Sequence, residues 1–256
     1  MQQRKLMFYI AECSTALALV LTGICPARAQ ETPREKLLMD FGWKFHLGNE
    51  WGTGEDAINL GVNSGPARAD FDDSSWATIN LPHDWAVALP FDRNAPADHG
   101  FKPIGPNFPG NSVGWYRRTF TLPAEDAGKR IWIEFGGVYR DSLVYVNGCL
   151  VGHQPWGYSS FRYDVTDIVH YGGRNTVAVR VDASKFEGWF YEGAGIYRHV
   201  WLVKTAPLAV MPDGTFVYSR FKNNVPQGAA EINIETRLAN SQANSADAVD
   251  PEDAVY

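Results

Sequence analysis

The most constraining feature of the sequence is a turn signal between two apolar runs near the middle of the chain. Leu143–Val146 is followed by Asn147-Gly148 and then by Cys149–Val151. Asn and Gly both accept the positive φ angles of a type I′ turn, so this pair between apolar runs is the strongest short-range signal for a β-hairpin. The pattern therefore predicts two antiparallel strands joined by a two-residue turn.

Further strands are predicted on both sides of this hairpin. Alternate positions of Ile131–Phe135 are apolar, which is the period of a strand with one buried face, and Val177–Val181 repeats the pattern. Between them, the carboxylate of Asp164 can accept a backbone N–H and cap the turn Val165–Asp167. Several short strands separated by turn signals are typical of an antiparallel β-sandwich.

The composition supports an all-β fold. The 256 residues include nine Trp, eleven Tyr and fourteen Phe, together with 24 Gly and 15 Pro. Aromatic residues are enriched in strands, and Gly and Pro are enriched in the turns that join them. The chain has room for one large domain or two modest ones.

The N-terminus has the features of a secretory signal peptide. Arg4 and Lys5 precede the apolar run Thr15–Ile24, and Ala27-Arg28-Ala29 forms an A-x-A cleavage signature. The apolar run is too short to span a bilayer. We therefore expect residues 1–29 to be removed and the protein to be exported, to the periplasm or the extracellular space, with no membrane contact after cleavage.

Removal of the signal peptide would change both the charge and the cysteine content. Three basic residues and one acidic residue are lost, so the net charge goes from −6 to −8. A chain this acidic is not expected to bind nucleic acid. Cys149 becomes the single cysteine, which excludes an internal disulfide, and we expect it to be a small buried hydrophobe rather than a nucleophile.

Three motifs together resemble the N-terminal sugar-binding domain of glycoside hydrolase family 2, the group of the β-galactosidases, β-glucuronidases and β-mannosidases. They are GGVYRDSLVYVNGCLVGHQPWGYSSFRYDVTDIV, NTVAVRVD and GWFYEGAGIYRHVWL, in the family's order. The resemblance covers Leu37 to about Pro207 and implies a jelly-roll β-sandwich. The family's catalytic barrel, which takes about 250 residues, is not expected in this chain.

The resemblance also divides the chain into domains. We expect a jelly-roll sugar-binding domain over residues 30–205 and an incomplete immunoglobulin-like domain over residues 206–256. Leu208–Phe221 and Ala230–Leu238 resemble the first two strands of that domain, which needs about seven strands in about 100 residues. Asn240–Tyr256 is polar, acidic and rich in small residues, and is predicted to be disordered.

Two loops carry the candidate sugar contacts. In the family, loops of this domain help to line the sugar pocket beside the barrel, and the segments that resemble them are His99–Ile104 and Glu187–Glu192. The alternative is that these loops are solvated or pack between domains. The resemblance implies hydrogen bonds to sugar hydroxyls from three side chains and stacking by two others, namely His99, Lys102 and Glu192, and Trp189 and Tyr191.

Other candidates are better explained by structure than by chemistry. Trp156, Tyr158, Phe161 and Tyr163 could stack on sugar rings, but we expect them to pack onto the sandwich, as aromatic residues mostly do. Retaining glycosidases need two carboxyl groups about 5 Å apart, and the family supplies both from its barrel, so no catalytic residue is assigned. The sequence contains no phosphate-binding, dinucleotide-binding or zinc motif, and no cofactor or metal is expected.

These observations favour the N-terminal portion of an exported, β-galactosidase-like glycosidase that hydrolyses O-glycosidic bonds in carbohydrate metabolism. Without the barrel, the chain alone should be inactive, and its expected partner is a β-glycoside substrate. The alternative is a free-standing, non-catalytic carbohydrate-binding module. The downstream reading frame would separate these hypotheses, because only the first requires it to encode a barrel.

Overall fold

The fold is that of a computed structural model, which describes residues 34–51, 65–188, 192–224, 226 and 228–241. The predicted signal peptide and most of the predicted disordered tail lie outside these residues. The described part is almost entirely β-structure, with one short α-helix and a few 3₁₀ turns. The prediction of an all-β fold is confirmed.

The strands are, in chain order, β1 (Arg34–Leu38), β2 (Trp43–Leu47), β3 (Ala77–Ile79), β4 (Val113–Thr121), β5 (Arg130–Phe135), β6 (Ser142–Val146), β7 (Cys149–Gln154), β8 (Phe161–Asp164), β9 (Arg174–Asp182), β10 (Val200–Thr205), β11 (Leu208–Phe221) and β12 (Ala230–Asn240). The helix α1 spans Pro109–Ser112. The 3₁₀ turns are Gly65–Ala67, Trp85–Ala88, Ala97–His99, Ala124–Asp126 and Lys222–Asn224.

The strands form a six-stranded sheet, a four-stranded sheet and a two-stranded sheet. The first has the order β3-β2-β4-β9-β6-β7 and the second β1-β10-β5-β8, and all their strand pairs are antiparallel. Alternate side chains of β5 and β9 point into one shared core, where Ile133, Phe135, Val177 and Val179 are fully buried. Burying each such side chain contributes about 1.5–3 kcal/mol, so the sandwich is held chiefly by this core.

The central hairpin forms as its turn signal predicts. Asn147 and Gly148 have φ angles of 49° and 86°. The Asn147 side chain also joins this turn to its neighbours, because its amide nitrogen donates to Ile168 O at 2.8 Å and its oxygen accepts from Thr176 N at 2.9 Å. Asn147 is therefore both a turn residue and a link from the turn to the segment after β8 and to β9.

The predicted cap at Asp164 is also present. Its Oδ1 accepts the backbone N–H of Thr166 at 3.0 Å, and the Thr166 hydroxyl in turn accepts the N–H of Ile131 at 2.9 Å.

The prediction for Cys149 is wrong, because this thiol is exposed. Cys149 follows the turn directly and begins β7, which is an edge strand in which no residue is buried, so its place in a strand does not put it in the core.

The two strands predicted after residue 206 pair with each other as β11 and β12. One face of this hairpin carries Val217, Ile232 and Ile234, which are 57%, 67% and 65% exposed. Its polar links to the sandwich include a hydrogen bond of 2.6 Å from Arg34 Nη2 to Val210 O and an ion pair between Arg162 and Asp213. The assignment of this hairpin to a separate immunoglobulin-like domain stays a prediction.

Candidate functional site

The two candidate loops meet at one end of the sandwich, where they are joined by two hydrogen bonds. Glu192 N donates to Asp98 O at 2.8 Å, and His99 Nδ1 lies 2.8 Å from Glu192 O. Since a carbonyl can only accept, His99 must carry a proton on Nδ1. His99 is fully buried, and within the described part of the chain its Nε2 has no hydrogen-bond partner. The structure thus brings His99 and Glu192 together.

The carboxylate of Glu192 organises its own loop. It is 1% exposed, and its Oε1 accepts the N–H groups of Gly188 at 2.6 Å and Glu187 at 2.9 Å. The Tyr139 hydroxyl donates to Oε2. Burial, together with this hydrogen bond to a carboxylate, raises the pKa of Tyr139 well above its ordinary value, so the phenol remains a donor. Three donors from the protein therefore bind the Glu192 carboxylate, and its role as a sugar ligand stays a prediction.

Lys102 also binds backbone groups of its own neighbourhood. Its ammonium donates to Leu89 O at 2.5 Å and Val87 O at 3.3 Å, and it lies 4.0 Å from the centre of the Phe91 ring. The side chain is buried. These hydrogen bonds tie Lys102 to the chain around Val87 and Leu89. The role of Lys102 as a sugar ligand stays a prediction. Trp189 and Tyr191 lie outside the described residues.

A second carboxylate, Glu187, is not among the side chains that the sequence predicts for the site. Its Oε1 accepts from Arg140 Nε at 2.9 Å and from Gly157 N at 2.7 Å. It therefore ties the start of the loop to the segment before β6 and to the loop before β8. The signal that could have found this contact is the Tyr139-Arg140 pair, whose polar groups stand between two apolar runs and need buried partners.

Glycines allow the end of the same loop to pack closely. Asp84 Oδ1 accepts Ala194 N at 2.8 Å, and a Cβ on Gly193 would lie 2.1 Å from Asp84 Oδ2. Gly195 has a φ of 127°, and a Cβ there would lie 2.3 Å from the Tyr116 hydroxyl oxygen. A side chain at either position would push the loop away from the sandwich.

The rim of this end is apolar. Phe161 and Tyr163 pack against the core as expected, but Trp156 and Tyr158 are more than half exposed. Trp156 and Tyr158 belong to a group of large exposed side chains on the loops near Glu187 and Glu192, and we name this group the apolar rim. Its members are Val87, Phe91, Phe101, Trp156, Tyr158 and Phe186.

Among the described residues, no group of three His, Cys, Asp or Glu side chains could hold a metal ion. The carboxylates near the central motif have structural partners: Glu134 pairs with Lys36 at 2.7 Å, and Asp141 with His153 at 2.5 Å. In the same part of the chain, no helix is long and apolar enough to cross a membrane.

Comparison with known proteins identifies the class to which this sandwich belongs. Residues 45–206 match the family model of the sugar-binding domain of the family 2 glycosyl hydrolases. Since the match covers more than half of the chain, the chain belongs to this family. The resemblance inferred from the three motifs is confirmed.

The chain is also similar to individual glycosidases. The chain is 40% identical over 219 residues to the β-galactosidase BoGH2A of Bacteroides ovatus, covering 85% of this chain and 23% of that protein. It is 37% identical over 174 residues to a putative β-glucuronidase of Formosa agariphila, covering 68% of this chain and 16% of that protein. The crystal structure of a β-glycosidase from Bacteroides vulgatus matches with a TM-score of 0.67 and 32% identity, covering 80% of this chain and 24% of that one. The chain thus spans about a quarter or less of the length of these proteins.

Proposed function

We propose that the chain is the N-terminal, sugar-binding portion of a β-galactosidase-like family 2 glycosidase, which acts with a catalytic barrel to hydrolyse O-glycosidic bonds. The similarity to BoGH2A supports this choice, because this chain is 40% identical to that β-galactosidase and 37% identical to the putative β-glucuronidase of Formosa agariphila. The family supports a carbohydrate as the substrate. The active carboxylates would belong to the barrel.

The observation that carries the proposal is the apolar rim. Soluble proteins expose clustered large apolar side chains mainly where another surface covers them. The loops that carry the rim also carry two acids, the partly buried Glu187 and the buried Glu192, whose hydrogen bonds hold these loops in place. We therefore propose that this end packs against the barrel and that the rim, together with Trp189 and Tyr191, forms one wall of the sugar pocket.

We also propose that the protein is exported through its N-terminal signal peptide. The basic residues, apolar run and A-x-A signature of residues 1–29 support this step. A fusion of residues 1–29 to a periplasmic reporter should be cleaved and exported, whereas the same fusion with charged residues in the apolar run should remain in the cytoplasm.

A chimeric enzyme tests the main proposal. Residues 45–206 of this chain replace the matching segment of BoGH2A, and the product is assayed on nitrophenyl β-galactoside and nitrophenyl β-glucuronide. We expect activity on the galactoside and a loss of kcat/KM of about tenfold in the variant Phe101→Ala, whose side chain belongs to the rim. The control is Arg174→Ala, which changes the exposed first residue of β9, outside the two candidate loops. This variant should keep the kcat/KM of the chimera.

A chimera that folds, as judged by circular dichroism, but has no activity on either glycoside would contradict the proposal. Binding of a galactoside by the chain alone, unchanged by Phe101→Ala, would then favour a free-standing carbohydrate-binding module.

A further inference from the structure

The chain that leaves the Glu187–Glu192 loop pairs with His83 and Trp85. His83 N donates to Ile196 O and Trp85 N donates to Ala194 O, each at 2.9 Å. Between these two bonds the backbones lie close together, because a Cβ on Gly195 would lie 2.6 Å from His83 O. The loop therefore keeps its position only while the segment around His83 keeps its own.

The side chain of His83 is joined to the loop by Tyr116. Its Nδ1 lies 2.8 Å from the hydroxyl oxygen of Tyr116, which is fully buried on β4. Burial raises the pKa of Tyr116 well above its ordinary value, although a hydrogen bond from the Ile196 backbone partly opposes this rise. The phenol thus keeps its proton, and a chain of hydrogen bonds runs from Ile196 through Tyr116 to His83.

The direction of these hydrogen bonds depends on the protonation state of His83. Since the Ile196 N–H donates to the Tyr116 oxygen, the buried phenol proton needs an acceptor, and His83 Nδ1 lies where it can accept. Nδ1 accepts only when it carries no proton, so the neutral imidazole has its proton on Nε2. The imidazolium carries protons on both nitrogens, so protonation of His83 takes this acceptor away from the phenol.

The surroundings of His83 oppose its positive charge. The ring is partly buried and lies against Phe45 of β2, with the ring centres 4.6 Å apart. Burial lowers the pKa of His83 below the ordinary 6.5, and the negative charge of the adjacent Asp84 only partly offsets this effect. Tyr116 is the titratable group that faces the ring from β4, whereas Phe45 and Ile196 bring no charge.

We propose that His83 is a positioning residue for the Glu187–Glu192 loop, and that it holds the loop through Tyr116 only while its imidazole is neutral. This stabilisation is complete above pH 6.5 and is lost as the pH falls through the lower pKa of His83 in the folded protein. The proposal deepens the proposed function and rests on it only in that this loop borders the sugar pocket, which should lose this wall in acid.

Nuclear magnetic resonance of the full ¹⁵N-labelled chain tests the proposal without a substrate. The ring nitrogens of His83 report its protonation, and hydrogen exchange of the Trp85 amide, which donates to Ala194 O, reports the attachment of the loop. Between about pH 8 and about pH 5, the protection factor of this amide should fall about tenfold, with the midpoint of the His83 titration. Exchange is decisive, because a nearby charge can shift an amide signal without loosening the loop.

Two variants separate the titration from the fold. His83→Asn keeps an acceptor, because the asparagine side-chain oxygen can take the place of Nδ1, and the protection of the Trp85 amide should no longer depend on pH. In Tyr116→Phe, which keeps the ring, His83 should still titrate but the protection should not follow it. The matched control is His170→Asn, which removes an exposed histidine outside the two candidate loops and should keep the wild-type response.

Two results would overturn the proposal. One is a Trp85 protection factor that does not change while His83 titrates. The other is a pH response that persists in His83→Asn, as it would if another histidine, such as His99, were responsible. Either result leaves the proposed function standing, because the chimera assay does not depend on it. An inactive chimera would contradict the proposed function and leave the link from His83 to the loop intact.

Discussion

Replacing Glu192 by alanine should release the loop that it organises. The wild-type carboxylate accepts three hydrogen bonds, from the Tyr139 hydroxyl and from the N–H groups of Glu187 and Gly188. Alanine removes both acceptor oxygens, and with them all three hydrogen bonds, and leaves the phenol of Tyr139 buried without its partner. The substitution therefore tests whether Glu192 has a structural role at this site.

The size of the effect follows from these contacts. A hydrogen bond to a charged group contributes about 1.5–3 kcal/mol, but the loop can open locally and limit the loss. We expect the free energy of unfolding to fall by about 3–5 kcal/mol. For a chain of this size, that corresponds to a decrease in Tm of roughly 6–20 °C.

Urea denaturation and amide hydrogen exchange measure the two parts of this prediction. Exchange at Glu187 and Gly188 should accelerate strongly in the variant. The matched control is Glu134→Ala, whose carboxylate pairs with Lys36 in a partly exposed ion pair and should contribute less than about 1 kcal/mol. If Glu192→Ala loses no more stability than this control and both amides keep their protection, Glu192 does not hold the loop.

Two other predictions concern the sandwich as a whole. Burial opposes ionisation of Asp126, but hydrogen bonds from Lys129 and Lys204 outweigh it and hold its pKa below the ordinary 3.8. Its carboxylate thus stabilises the fold above that pH, and the contribution is lost as the pH falls through the lower folded pKa. Asp126→Asn should lower the unfolding free energy by about 2 kcal/mol at pH 7, and urea titrations should show this difference shrinking below about pH 4; a pH-independent difference would contradict the assignment. A chain ending at Thr205 should melt within about 3 °C of the full chain, because surface polar contacts such as that of Arg34 with Val210 O contribute little; a loss above about 10 °C would show that the β11–β12 hairpin is part of the cooperative unit.

The local features of the fold could be predicted because each depends on residues close together in the sequence. Asn147-Gly148 sets a turn by its own backbone preferences, and Asp164 caps the residues that follow it. The alternation of buried and exposed residues within a strand can likewise be predicted from that strand alone, because it requires only that one face meets the core. The exposure of Cys149 could not be predicted in this way, because it depends on β7 being an edge strand, which is a property of the whole sheet.

The site was harder to predict because its contacts join distant parts of the chain. Glu192 meets Tyr139, which is 53 residues away in the sequence, and Glu187 meets Arg140, which is 47 residues away. The sequence indicates that polar residues stand in a loop, but it does not indicate whether their atoms are already paired. The sequence therefore predicts Glu192 as a sugar ligand without indicating that its oxygens accept hydrogen bonds from the protein's own donors.

This arrangement determines how substitutions should act on the site. The loop from Glu187 to Gly195 is held at its start by Arg140, at Glu192 by Tyr139, and near its end by Asp84. These three partners come from separate segments of the sandwich, so the loop can keep its position only while the sandwich is intact. Changes in the core beneath it should therefore alter sugar recognition and stability together, whereas exposed changes on the apolar rim, such as Phe101→Ala, should alter recognition alone.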